Sequence, residues 1–213
     1  MSAKVYVFNG WAARETAWKR CRFLRDRIFS YAEQLDGLAD EVVSREKNVI
    51  FAGWSMGGAT ALRLAAAFPR KVKGLVLLAA TPRMMAAPDW PGMSERRLAA
   101  LRFSLDAGGA GGDICGEPFD SIYDAADAVN LQRGLDFLRE TDLRIELIDL
   151  LASGALRCPV RIFQSEKDCV VHPNNAKFLS AVFPQSIVET VPGAEHALPL
   201  SIPDRIDEVM NGF

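Results

Sequence analysis

Short apolar runs alternate along this chain with segments whose apolar residues recur every three or four positions. The first pattern predicts buried strands, the second helices that cover them. Lys4–Phe8 (KVYVF) is β-branched and aromatic and reads as the first strand. A short helix is expected over Thr16–Leu24, and Arg27–Tyr31 (RIFSY) reads as a second strand. Leu35, Leu38, Ala39, Val42 and Val43 share a helical face, which predicts a helix over Leu35–Arg45. Asn48–Gly53 (NVIFAG) is apolar on both faces, as in a strand inside a parallel sheet. A helix over Met56–Phe68 follows, stopped by Pro69. Leu75–Ala79 (LVLLA) reads as the fourth strand, ended by Thr81-Pro82.

The rhythm then breaks. From Arg83 to Arg157 no stretch reads as a strand, and two helices stand out, Ser94–Leu105 and Leu131–Glu140. Ser94 is placed to cap the first, although Arg97 rather than Glu stands three residues on, so the capping box is incomplete. AGGAGGD (Ala107–Asp113) does not join a strand to a helix, so it reads as a lid hinge and not as a phosphate loop. The alternation resumes with Val160–Gln164 (VRIFQ), a helix over Asn174–Val182, Ser186–Val191 (SIVETV) and a last helix over Pro203–Met210. Alternating strands and helices predict an α/β domain over residues 1–213, a mostly parallel six-stranded sheet interrupted once, over 83–157, by an all-helical lid insertion.

Composition narrows the function classes. A length of 213 residues suits one domain, and 49% hydrophobic residues exclude a disordered chain. The net charge of -2 provides no general attraction to nucleic acid or anionic membrane. No apolar run approaches the roughly 20 residues that span a bilayer. The apolar stretch near Met1 is too short for a secretion signal, so a cytoplasmic protein is expected. Cys21, Cys115, Cys158 and Cys169 show no CxxC spacing, and reduced thiols are expected rather than a disulfide framework or zinc site.

Candidate chemistry centres on Gly53-Trp54-Ser55-Met56-Gly57, which fits G-x-S-x-G between a strand and a helix, the context a nucleophile elbow needs. A serine nucleophile needs a general base, and the chain holds two histidines. His196 (GAEHALP) lies after the last strand, where the Ser–acid–His order places the base; His172 lies too early and reads as a surface residue. The acid should follow the penultimate strand, which points to Asp168, with Glu166 as the alternative. The oxyanion hole needs two backbone donors: the N–H of Met56, and one from the Asn9-Gly10-Trp11 loop after the first strand, assigned to Trp11. A core aromatic is the other reading of Trp11.

With these motifs in place, the chain resembles the α/β-hydrolase superfamily, and within it the pimeloyl-ACP methyl ester carboxylesterases of biotin synthesis. NGWA at Asn9, GWSMGG at Gly53, LVLLAATP at Leu75, PDWPGM at Pro88, GLDFLRETDLR at Gly134, SEKD and GAEHALP carry the resemblance along nearly the whole chain. It implies a serine carboxylesterase with Ser55, Asp168 and His196 as triad, needing no metal or organic cofactor. It also implies an acyl carrier protein bearing the substrate as partner. Three features depart from the family. The usual first hairpin is missing, Asn9 stands where His usually precedes Gly-Trp, and the lid is shorter. The short length is also similar to a compact esterase group serving the same step. The triad leaves open a general short-chain esterase, a thioesterase or a carbon–carbon lyase on the same fold. A non-catalytic binding protein would be expected to lack a triad member. Acidic carriers suggest docking on the lid, with Arg96, Arg97 and Arg102 as candidates. The alternative is helix-surface ion pairing, such as Arg133 with Asp136 or Arg139 with Asp142.

Overall fold

The computed structural model describes residues 2–106 and 127–213. Six strands form one parallel sheet: β1 Lys4–Phe8, β2 Arg27–Phe29, β3 Val49–Trp54, β4 Val72–Leu78, β5 Val160–Ser165 and β6 Ile187–Val191, in the order β2-β1-β3-β4-β5-β6. All six expected strands are present. β3 is buried at every position, in keeping with a strand covered on both faces. Side chains of successive strand residues divide between two cores. Tyr6, Phe8, Phe51, Leu75, Leu77 and Ile162 face one; Val7, Ile50, Ala52, Val76, Leu78 and Phe163 face the other.

Nine α-helices are described: α1 Tyr31–Leu35, α2 Leu38–Arg45, α3 Met56–Ala67, α4 Glu95–Asp106, α5 Ala128–Glu140, α6 Arg144–Ser153, α7 Asn175–Val182, α8 Leu198–Ser201 and α9 Pro203–Asn211. Two expectations change. The helix over Leu35–Arg45 is divided, because Gly37 takes a left-handed conformation (φ 77°) and ends one helix before the next begins. The preceding piece starts earlier, at Ser30, which makes a full capping box with Glu33. The helix expected over Thr16–Leu24 shrinks to a 3-10 turn, Glu15–Trp18. Beyond it the Arg22 and Phe23 N–H groups donate to the Asp207 carboxylate of α9 at 2.7 and 2.9 Å, a tertiary contact that replaces helical hydrogen bonds.

Between β4 and β5 the described residues contain α4, α5 and α6 and no strand of the sheet. The ends of the segment are clasped: Leu143 N–H donates to Pro82 O at 2.9 Å, and the Arg83 guanidinium pairs with Asp142. Leu147 and Leu150 of α6 join the same core as α3 and α7, whereas Leu98, Leu131, Leu135 and Leu138 of α4 and α5 join the opposite core. Ser94 Oγ accepts from Arg97 N–H at 3.2 Å, as expected of the cap. The glycine stretch Ala107–Asp113 lies outside the described residues.

Among the described residues no helix is long and apolar enough to cross a membrane. Cys21 and Cys158 are free, and burial pushes their thiols up to about 12 and about 11. The expectation of reduced thiols throughout fails at Cys169, which is disulfide-bonded. Disulfides depend on spatial approach and not on local spacing, so the absence of CxxC does not exclude one. Cys115 lies outside the described residues.

Candidate active site

The strand order reverses between β1 and β3, and in open α/β sheets that switch point opens a crevice at the carboxyl ends of the strands. Ser55 follows β3 and the Asn9–Ala13 loop follows β1, so both border this crevice. Ser55 holds φ 55° and ψ -119°, a backbone state that costs a residue with a side chain on the order of 1–3 kcal/mol. Its neighbours sustain it. Ser55 N–H donates to Leu78 O at 3.0 Å, and Ser55 O accepts from Gly58 N–H at 2.9 Å. The motif glycines are required by contact, since a Cβ on Gly57 would overlap the Phe8 carbonyl and one on Gly58 would overlap Ala80.

His196 Nε2 lies 2.8 Å from Ser55 Oγ, and His196 Nδ1 lies 3.0 Å from each Asp168 oxygen. All three residues are buried, and the Asp168 side chain has no exposed surface. Ser55, His196 and Asp168 are therefore brought together from positions far apart in the chain. Asp168 Oδ1 also accepts the Val170 and Val171 N–H groups at 2.8 and 2.9 Å, which fixes the carboxylate against the ring. The alternative acid, Glu166, faces elsewhere: it accepts Gly193 N–H at 2.7 Å and steadies the loop that leads to His196. His172 is exposed, and its Nδ1 accepts from Asn174 N–H at 3.1 Å.

One supporting residue escapes sequence reasoning. Trp54 donates its Nε1–H to His196 O at 2.9 Å, and its ring lies 5.7 Å from the imidazole. Only its place as the variable residue of G-x-S-x-G hints at this role. The loop after β1 approaches Ser55 closely, because a Cβ on Gly10 would lie 3.5 Å from Ser55 Cβ. The Trp11 ring is buried, and its Nε1–H donates to Leu131 O of α5 at 2.9 Å. Among the described residues the backbone N–H groups of Trp11 and Met56 donate to no protein acceptor.

The arginines of α4 and α5 are mostly engaged among the described residues. Arg97 donates to Cys169 O at 2.6 Å, and Arg102 pairs with Asp136 at 2.5 Å. Arg133 pairs with Asp36 and Arg139 with Glu95, so the ion pairs join separate elements and not neighbours on one helix. Arg96 is exposed and makes no ion pair among the described residues. No group of three or more His, Cys, Asp or Glu side chains suited to a metal ion occurs among the described residues.

The model of one family, the alpha/beta hydrolase family, matches residues 13–209. The chain belongs to the alpha/beta hydrolase family. The pimeloyl-[acyl-carrier protein] methyl ester esterase of Nitrosospira multiformis is 26% identical over 241 residues, covering 93% of this chain and 89% of its own length. The protein of the same name from Pectobacterium atrosepticum is 28% identical, covering 84% of this chain and 75% of its own. Among solved structures, a hydrolase from Oleispira antarctica superposes with a TM-score of 0.75 at 18% identity, covering 100% of this chain and 91% of that one. An esterase from Exiguobacterium antarcticum gives 0.74 at 18% identity, covering 99% of this chain and 91% of that chain. At that identity the superpositions speak to the fold alone, an alpha/beta hydrolase sheet with its helices.

Proposed function

We propose that this protein is a serine carboxylesterase that hydrolyses the methyl ester of a pimeloyl group held on an acyl carrier protein. The observation that carries the catalytic part is the unbroken hydrogen-bonded series from Ser55 Oγ through His196 to Asp168. Ser55 Oγ attacks the ester carbonyl while His196 Nε2 takes its proton. Asp168 holds the Nδ1 proton and stabilises the imidazolium. The tetrahedral oxyanion is received by the Trp11 and Met56 N–H groups, where the positive end of α3 adds to the field. Collapse expels methanol, protonated by His196. Water, activated by the same imidazole, then releases the acid and restores Ser55.

The carrier-linked substrate rests on the names of the curated relatives, which match most of this chain. In this reading α4 and α5, which pack on the core that holds Trp11 and Met56, act as the lid, and the exposed Arg96 meets an acidic carrier. The decisive experiment supplies the purified protein with the carrier-bound methyl ester and follows both of its ends. Methanol release with the carrier thioester intact supports the esterase reading. Release of the free carrier thiol would make the protein a thioesterase. Ser55→Ala should lower kcat by about 10⁴ to 10⁶. Retention of a tenth of the activity would refute the assignment of the nucleophile.

A further inference from the structure

Asn9 ends β1's path into the loop beside Ser55, and its side chain is wholly buried. The amide bridges the turn that follows it. Oδ1 accepts the Gly10 N–H at 3.2 Å and the Trp18 Nε1–H at 3.0 Å, while Nδ2 donates to Ala13 O at 2.8 Å. Reversing the amide would set an NH₂ group against two N–H donors, so the partners fix its orientation. The bridged turn is strained. Ala13 N–H donates to Gly10 O at 3.2 Å, and Ala12 inside it sits at φ 58°, where a Cβ is disfavoured.

The main chain of Asn9 is anchored as firmly. Its N–H donates to Phe29 O at 3.0 Å, and its carbonyl accepts from Gln34 Nε2 at 3.0 Å. Gly57 of α3 packs so closely that a Cβ there would stand 2.7 Å from Asn9 O. One residue thus connects the sheet, the helix that carries Ser55, and both ends of the strained turn.

We propose that Asn9 is the positioning residue of the oxyanion loop: its amide holds the Gly10–Ala13 turn in the conformation that aims Trp11 N–H at the attacked carbonyl. This rests on the reading of Ser55 as nucleophile. The site demands an acceptor toward Gly10 and Trp18 and a donor toward Ala13 from one short side chain, which Asn supplies. Aspartate has the same size and keeps the acceptor, but turns a carboxylate oxygen onto the Ala13 carbonyl. Trp18 acts through Asn9.

The test uses the full chain, p-nitrophenyl acetate as substrate, and a fluorophosphonate that labels an active serine without needing lid or carrier. Asn9→Ala should lower kcat by about 10- to 100-fold with KM within about threefold, because a displaced donor weakens the transition state more than the ground state. Labelling should slow by the same factor. Asn9→Asp should fall at least as far. Trp18→Phe should lose about 3- to 10-fold in kcat and add nothing to Asn9→Ala, as expected of two groups in one network. A cooperatively folded Asn9→Ala with kcat within about twofold of wild type overturns the proposal, as does a raised KM with kcat retained. If Asn9→Ala does not fold, Trp18→Phe decides: native melting with unchanged kcat overturns it. Wild-type protein that resists the fluorophosphonate refutes the Ser55 reading itself and takes this proposal with it. Normal labelling in wild type and Asn9→Ala alike refutes the role of Asn9 alone.

Discussion

At the residue scale, the site depends on a few side chains that have no local alternative. His196 is held on both ring nitrogens, by Ser55 on one side and Asp168 on the other. His196→Ala should therefore match Ser55→Ala in kcat, and the double variant should be little worse, because the three groups act as a unit. His172→Ala should stay within a few-fold of wild type, since that ring is exposed and its contact is with Asn174 N–H and not with Ser55, Asp168 or His196. Steady-state kinetics on one ester checks all four proteins, and the reverse ranking of the two histidines would undo the assignment. Gly57 gives a backbone counterpart. Its Cβ position is occupied by the Phe8 carbonyl, so Gly57→Ala should force α3 off the sheet. A loss of about 1–3 kcal/mol in urea denaturation is expected, in the range for overpacking, together with loss of activity.

At the element scale, the ends of the insertion are held together by charge. The hydrogen bonds of Arg144, and then Arg83, bring the Asp142 carboxyl from 3.8 down to about 2. A carboxyl depressed in this way stabilises the fold fully above its unfolded value and loses that contribution as pH falls through the folded one. Partial exposure of the pair trims the effect to about 1–2 kcal/mol near neutrality. Asp142→Asn should show that loss at pH 7, and the gap from wild type should close between about pH 4 and pH 2. A gap that stays constant across that window would show that the clasp is held by packing and not by charge. The same scale explains the divided helix at Gly37. Apolar spacing registers which faces are buried, but it does not register a left-handed residue between two helices that share a face.

At the scale of the whole molecule, the crevice is a product of topology. Strand order places the loops after β1 and β3 side by side, although 40 residues separate Phe8 of one from Val49 of the next in sequence. In the proposed reading an acidic carrier would approach over that crevice. Among the described residues Arg97 donates to the Cys169 carbonyl and Arg102 of α4 pairs with Asp136 of α5, whereas Arg96 makes no ion pair. Arg96→Glu should raise KM for a carrier-linked ester several-fold at low salt, with a smaller effect at high salt and none on a small free ester. Arg97→Ala should instead slow both substrates, because Cys169 adjoins Asp168. An equal response of the two variants would separate neither role.

Much of this was written in the chain. Six strands, the strand-to-helix elbow around Ser55 and the candidate set Ser55, Asp168 and His196 follow from apolar periodicity and from short motifs, because each depends on neighbours within a few residues. Position after β5 favoured Asp168 over Glu166, although both follow that strand within three residues, and tertiary contacts turn the two carboxylates apart. The Val170 and Val171 N–H groups turn one carboxylate toward His196, and the Gly193 N–H turns the other away. Tertiary contacts also decided the loss of the helix after Trp18, drawn off by Asp207, and the engagement of Arg97 and Arg102. The bonding of Cys169 and the bridge that Asn9 builds to Trp18 and Ala13 belong with them. Periodicity reports which face of an element is buried. Where a polar side chain finds its partner depends on segments far away in sequence, and only packing brings those together.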